Sequence, residues 1–442
     1  MLIKSRHGSA AFIFCAAVLL WHVARAQDWR EPVILDHADS LVGGEMNGEA
    51  IRQLIGGVTL HQGKTALRCD RALQWLKSER VDLDGNVVVT NDTIVFTTRS
   101  ASYDSRLKVA STHARLRFID RGRTITADQG IYRLDERVAN FAGSVRLADS
   151  TATVEASRLT YFEGARRFTA NGSVVVSNPR ERLWVAGEEL EHSDSTKVSI
   201  MRLLPVMMRI DTAEGGRIDT LLVKSGVMEM LGDSVRQYTA SDSVEVVRGA
   251  MAARGANLRF DPKRDSLELT GSPVLWYERT EAKGTRVHVL LQQNKVSSVT
   301  ISGPAIAVSE TDTLHPMRRD QLSGTTLHLG FERDSLRTVT ATGNAMSISF
   351  LFDNVKPNGI NRTTADWITL FSDSGSLRRV TAFGGVEGNY YPENMVQGNV
   401  EEYRLPGYFW EERRPRVVPP PYLLSAAHPL PVPEAGEARV NR

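Results

Sequence analysis

Gly143-Ser144-Val145-Arg146-Leu147 and, just under thirty residues later, Gly172-Ser173-Val174-Val175-Val176 carry one phrase: a Gly, a small residue, then Val in an apolar alternation. Earlier copies are Gly56-Gly57-Val58-Thr59-Leu60 and Gly85-Asn86-Val87-Val88-Val89. Weaker ones stand at Gly271-Ser272-Pro273-Val274, Gly303-Pro304-Ala305-Ile306, Gly343-Asn344-Ala345 and Gly384-Gly385-Val386. A second phrase alternates with the first: a small or acidic residue, then apolar, often aromatic. Examples are Cys69-Asp70-Arg71-Ala72-Leu73, Ala127-Asp128-Gln129-Gly130-Ile131-Tyr132 and Ala156-Ser157-Arg158-Leu159-Thr160-Tyr161. Runs of Val, Ile, Thr, Tyr and Phe, broken by Gly, Asp-Ser and Asn, predict strands and turns, with no sustained helical period between them. A strand pair cannot bury its apolar face alone, whereas stacked neighbours make a continuous core. The expected fold is therefore all-β and built from repeats, a rod of roughly ten stacked units about 4.8 Å per strand apart.

Alternation also assigns faces, because residues two apart in a strand share one. Aligned on their glycines, the early copies place Val58 and Leu60, Val87 and Val89, Val145 and Leu147, and Val174 and Val176 in register. Between them stand Thr59, Val88, Arg146 and Val175. A long cation is rarely buried unpaired, so Arg146 marks the outer face. The Val and Leu columns, joined by Leu159 and Tyr161 of the second phrase, are the expected inner wall. On this reading Val175 is a surface position.

The chain has 442 residues, of which 41% are apolar and 24% charged, so it is neither a disordered chain nor a helical membrane protein. Residues 1–26 hold Lys4, Arg6 and Arg25, an apolar run from Ser9 to Trp21, and Ala24-Arg25-Ala26 before Gln27. They read as a cleaved secretory signal. Without them the net charge falls from +2 to −1, and no basic block remains to make nucleic acid a partner. Cys15 leaves with the signal, so Cys69 has no partner for an internal disulfide and is expected to fill a strand position.

Motifs that carry chemistry are missing. The histidines show no metal-ligand spacing, and there is no HExxH, nucleophile elbow, P-loop or dinucleotide fingerprint. Asp82-x-Asp84-Gly85 lacks the length and closing Glu of a calcium loop and reads as a strand-opening turn. The expectation is no catalytic residue, no metal and no cofactor. Repeats drift after a soft boundary near residue 198, where Leu203-Leu204-Pro205-Val206-Met207-Met208 fits neither phrase. Pro415, Pro419, Pro420, Pro421, Pro429, Pro431 and Pro433 make the end extended or disordered. The expected division is 1–26 signal, 27–198 first β module, 199–410 second and more divergent β module, and 411–442 disordered tail.

From about Leu54 to His192 the ordered phrases resemble the OstA-like family, the module of the lipopolysaccharide transport protein LptA and of the periplasmic part of LptD. The residues that carry the likeness are Gly57-Val58, Cys69-Asp70-Arg71-Ala72, Gly85-Asn86-Val87, Asn91-Asp92-Thr93, Ser100 to Asp104, Gly143-Ser144-Val145 and Gly172-Ser173-Val174. Leu351-Phe352-Asp353-Asn354 and Leu405-Pro406-Gly407-Tyr408-Phe409-Trp410 make Leu322 to Trp410 similar to the long OstA-like proteins of the Bacteroidetes and Chlorobi type. The resemblance implies an open β-jellyroll, or β-taco, in which two antiparallel sheets form a V. It also implies a non-enzymatic periplasmic bridge that stacks on other Lpt-type jellyrolls, or head to tail on itself, and carries the acyl chains of lipopolysaccharide (lipid A) in its groove. The ten inner-face residues named above are then the expected lipid-groove residues. An entire LptD is not expected, because no room for a transmembrane barrel follows the repeats. Gly-punctuated strands alone would also suit a secreted parallel β-helix enzyme acting on polysaccharide, or a structural surface protein.

Overall fold

The computed structural model describes residues 34–427 except 213–217, 233–236, 294, 312–313, 333–334, 374–375 and 412. The signal reading therefore lies outside the described residues. Strands dominate, all in one sheet whose pairings among the described residues are antiparallel. Antiparallel pairing excludes the parallel β-helix.

Long strands do not run straight. Val138–Ala148 pairs with Thr153–Phe162, but the register breaks between Ala142 and Val145. The same break recurs between Asn171 and Val174 in Arg167–Asn178, and between Asp84 and Val87 in Arg80–Asn91. Each break is a corner at which a strand leaves one wall of the sheet and enters the other. Segments 80–84, 138–142, 158–162 and 189–193 lie in the first wall. Segments 87–91, 145–148, 153–156, 174–178 and 183–187 lie in the second. Phe118 of the second wall stacks against Phe141 and Tyr161 of the first, with ring centroids 5.5 and 6.0 Å apart, so the walls face each other.

The two sequence phrases are the two sides of this corner. Gly85 and Asn86 both have positive φ, 77° and 47°. A Cβ on Gly85 would lie 2.2 Å from the Asp70 carboxylate and 2.7 Å from its Cβ. Asn86 Nδ2 donates to Asp70 Oδ2 at 2.9 Å. A residue without Cβ is required where the backbone turns left-handed against a neighbouring side chain. Gly143 faces Asp128 in the same way.

Some corners use other chemistry, which is why the phrases skip there. Between Val109–Thr112 and Leu116–Asp120 the strand is interrupted, and hydroxyls take over from the ladder. Thr112 Oγ1 donates to the Ser100 carbonyl at 2.6 Å and Thr98 Oγ1 to that of Arg115 at 3.1 Å. Further on, Leu203 and Leu204 turn the corner themselves, at φ 64° and 57° and exposed to solvent. Leu203-Leu204-Pro205, which fits no phrase, is thus one more corner. Because each repeat contributes a hairpin, it adds two strands to each wall. Each wall is roughly twenty strands deep, about 100 Å at ~4.8 Å per strand, twice the length expected from one strand per repeat. Hydrogen bonding passes through residue 198 without a gap, since Val198–Arg202 pairs with strands on both sides.

The end of the chain differs from the expected disordered tail. Residues 392–411 and 413–427, up to the last described one, form a strap that returns along the outer face of the second wall. Val396 and Leu405 pack on Ile306, Val308, Ile348 and Phe350. Phe409 reaches Ala252, Val274 and Trp276. Val417, Leu423 and Ala427 close over Val175, Trp184, Ala186, Val206 and Met208. Polar anchors hold it: Arg318 clamps Glu393 with both guanidinium nitrogens. The amide of Leu405 donates to Gln321 at 2.7 Å, and that of Glu411 to Glu281 at 2.7 Å. Prolines suit such a strand-free strap, because it must lie on apolar side chains without competing for the ladder. Outer-face composition follows the strap. Where it is absent the face carries Arg146 paired with Glu155, and where it lies the face is apolar.

Candidate functional site

The trough between the walls is the site the fold builds. One apolar cluster lines it from Leu116 to Ile368, and a second fills the first strands around Val58, Cys69 and Val87. All ten residues assigned to the inner face lie there. Val58, Val87, Val145, Leu147, Leu159, Tyr161 and Val174 are buried, while Leu60, Val89 and Val176 are half-buried and pack against these clusters. Cys69 sits among them, and burial, then the nearby Asp70 charge, pushes its thiol up to about 11. The outer-face reading needs one correction. Arg146 is exposed, but Val175 is buried beneath the strap. Alternation placed it on the correct face, and residues far along the chain then covered that face.

Midway along the trough the walls part around a cavity of 270 Å³. Its apolar lining includes Val176, Leu190, Met201, Met207, Val223, Met228 and Leu258. Ligand pockets generally run from about 300 Å³ upward, so this cavity is slightly smaller than that range. Methionines let it widen, because the thioether chain adapts to irregular shapes. The sequence missed this concentration because its methionines sit on strands that lack the Gly phrase.

Charged and polar groups gather where the two walls meet over the cavity. Arg123 of the second wall holds Asp194 at the edge of the first through both guanidinium nitrogens, one at 2.7 Å and the other in a shorter contact. His192 Nε2 lies 3.1 Å from Asp194, and its Nδ1 lies 2.8 Å from the Ser199 hydroxyl. Burial would push the Asp194 carboxyl up, but Arg123 and then His192 outweigh it and hold it below the usual carboxylate range. Burial keeps the His192 ring below its ordinary pKa, against the pull of Asp194. Tyr161 OH donates across the walls to Asp120 at 2.7 Å, and Tyr238 OH to Glu181 at 3.1 Å. Among the described residues no group of three or more His, Cys, Asp or Glu is placed to hold a metal.

Further along, Asp320 accepts the Phe350 amide at 2.8 Å, and burial pushes its carboxyl up to about 7. A carboxyl whose pKa is raised on folding favours the folded state while it is protonated. Its contribution is complete below pH about 4, the unfolded pKa, and is lost as pH rises to about 7. Asp320→Asn should therefore flatten the fall in melting temperature across that window. An unchanged slope would show that the carboxyl does not titrate there.

Sequence comparison fits this architecture. Residues 30–185 match the family described as OstA-like protein, and residues 124–295 match that of the LptA/(LptD N-terminal domain) LPS transport protein. The chain is an OstA-like/LptA-like family protein. No curated protein matches it. Among solved structures it is similar to LptH, the LptA homologous periplasmic component of the lipopolysaccharide transport device of Pseudomonas aeruginosa. Identity is 15% over 32% of this chain and 95% of that one, with a TM-score of 0.26. The match at 124–295 spans the whole methionine-lined stretch of this OstA-like chain.

Proposed function

We propose that this protein is a non-enzymatic bridge for lipopolysaccharide, carrying lipid A acyl chains in the trough between inner and outer membrane. The observation that supports this most is the apolar column that runs the length of the rod and opens into the methionine-lined cavity. Each methylene removed from water contributes about 0.8 kcal/mol, so one acyl chain in such a trough binds without any catalytic group. Export through a cleaved signal to the periplasm belongs to the same reading.

The two ends suit stacking on other Lpt-type jellyrolls or on a second copy. Among the described residues, strand Ser40–Met46 pairs with one neighbour only, and it exposes Leu41 and Val42. Strand Ser376–Phe383 likewise pairs on one side among the described residues and exposes Val380 and Phe383. Unpaired strand edges of this kind accept a further strand. Division of labour between the 27–198 and 199–410 modules is also proposed, with the cavity lying across their junction.

A photo-crosslinking residue at Val176, which lines the cavity, should capture lipopolysaccharide in cells, and one at Arg146 on the outer face should not. Capture at both positions would remove the face assignment. Capture at neither, with the variants folded, would remove the lipid reading.

A further inference from the structure

Ion pairs between strands of the rod mostly stay within one wall. Arg146–Glu155, Arg167–Glu191, Arg286–Glu268 and Arg248–Asp219 join neighbouring strands within one wall. Arg123–Asp194 joins the two walls, 71 residues apart in sequence, directly over the cavity. Arg123 is mostly buried and Asp194 nearly completely so. While the pair holds, an amphiphile with its head outside and its chains inside cannot pass this point along the mouth.

We propose that this pair is a latch opened by a phosphorylated lipid headgroup: Arg123 exchanges the Asp194 carboxylate for a headgroup phosphate while the acyl chains fill the cavity beneath. This inference rests on the lipid reading above and adds the group that the protein recognises. A guanidinium fork matches carboxylate and phosphate equally in geometry, so exchange replaces one bidentate contact by another. Asp194 is not orphaned by the exchange. His192 stays within 3.1 Å, and the exposed Arg166 already lies 4.0 Å away on the same wall. That matters because a buried charge left alone costs several kcal/mol. Asp149, an anion on the same wall whose charge acts on Arg123, accepts the amides of Thr151 and Ala152 and the Thr151 hydroxyl at 2.8 to 2.9 Å. It is turned into its own loop and leaves the guanidinium to the incoming phosphate.

The test compares two probes on the whole exported chain: a hexa-acylated glucosamine disaccharide with two phosphates, and the same lipid dephosphorylated. Wild type should prefer the phosphorylated lipid by about tenfold, as for one charge-assisted contact. Arg123→Gln should remove that preference, because without the latch the dephosphorylated lipid is admitted as readily as the phosphorylated one. Asp194→Asn, which keeps the side-chain size, should free Arg123 and tighten the phosphorylated lipid more than the dephosphorylated one. Arg123→Lys, a single point charge in place of the fork, should retain only part of the preference. Equal weakening of both lipids in Arg123→Gln would make Arg123 a prop between the walls and overturn the latch. Loss of phosphorylated-lipid binding in Asp194→Asn would overturn it too. A wild type that takes up both lipids equally would sink the latch and leave the lipid trough standing. One that takes up neither would sink both.

Discussion

Val174→Asp should melt the middle of the rod. Val174 is fully buried, one step past the Gly172-Ser173 corner, where strand Arg167–Asn178 enters the second wall. It belongs to the cluster that continues through Leu190, Met201 and Met207. Substitution forfeits about 1.5–3 kcal/mol of apolar burial. It also places a carboxylate where no cation is held, adding several kcal/mol or forcing the acid to protonate. Against a total stability of about 5–15 kcal/mol, a loss of this size should abolish the cooperative thermal transition. The neighbouring change discriminates between the faces. Val175→Asp leaves the trough intact and meets Trp184, Leu423 and Val417 instead. A surface position would tolerate it within about 0.5 kcal/mol. Under the strap it should cost more and release the strap while the walls stay paired. Limited proteolysis with circular dichroism separates the results: Val174→Asp should lose strand signal, and Val175→Asp should keep it but be cut after residue 410. Equal behaviour of the two variants would contradict the packing on opposite faces.

Leu423→Asp should detach the end of the strap. Leu423 is completely buried in the short helix Pro421–Ala427. Around it lie Val175, Trp184, Ala186, Val206 and Met208, and the hydroxyl of Tyr422 donates to Glu188 at 3.2 Å. Replacing a buried leucine by a charged group is expected to cost at least the 2–5 kcal/mol of a Leu→Ala change in a core. The strap from Glu393 to Glu411 should stay docked, because the Arg318–Glu393 clamp and the Gln321 and Glu281 contacts do not involve this helix. Release uncovers a contiguous apolar stripe on the outer face, and such stripes drive association. The variant should show faster cleavage within 413–427 and a concentration-dependent larger species in sedimentation. Wild-type cleavage kinetics would mean that Leu423 does not hold the strap.

Between them these residues divide what was legible in the sequence from what was not. The order Gly143-Ser144-Val145 and Gly172-Ser173-Val174, with Asp70 or Asp128 between copies, determined an all-β stack with two faces. Each requirement there is local: a left-handed corner tolerates almost only Gly followed by a small residue, and strand alternation is fixed at two residues. For that reason the columns from Val58 to Val176, read from one exposed cation, Arg146, coincide with the apolar clusters between the walls. Corners built from Thr98 and Thr112 or from Leu203 and Leu204 escaped notice, because hydroxyl bonding and a strained turn leave no recurring phrase. Only the tertiary structure decided that Val175 is covered, that 413–427 is ordered, and that Arg123 meets Asp194. These contacts join residues from 71 to more than 240 positions apart. Their partners lie on different walls or on the returning strap. Local patterning sets which face a side chain takes, while what lies against that face depends on where distant parts of the chain come to rest.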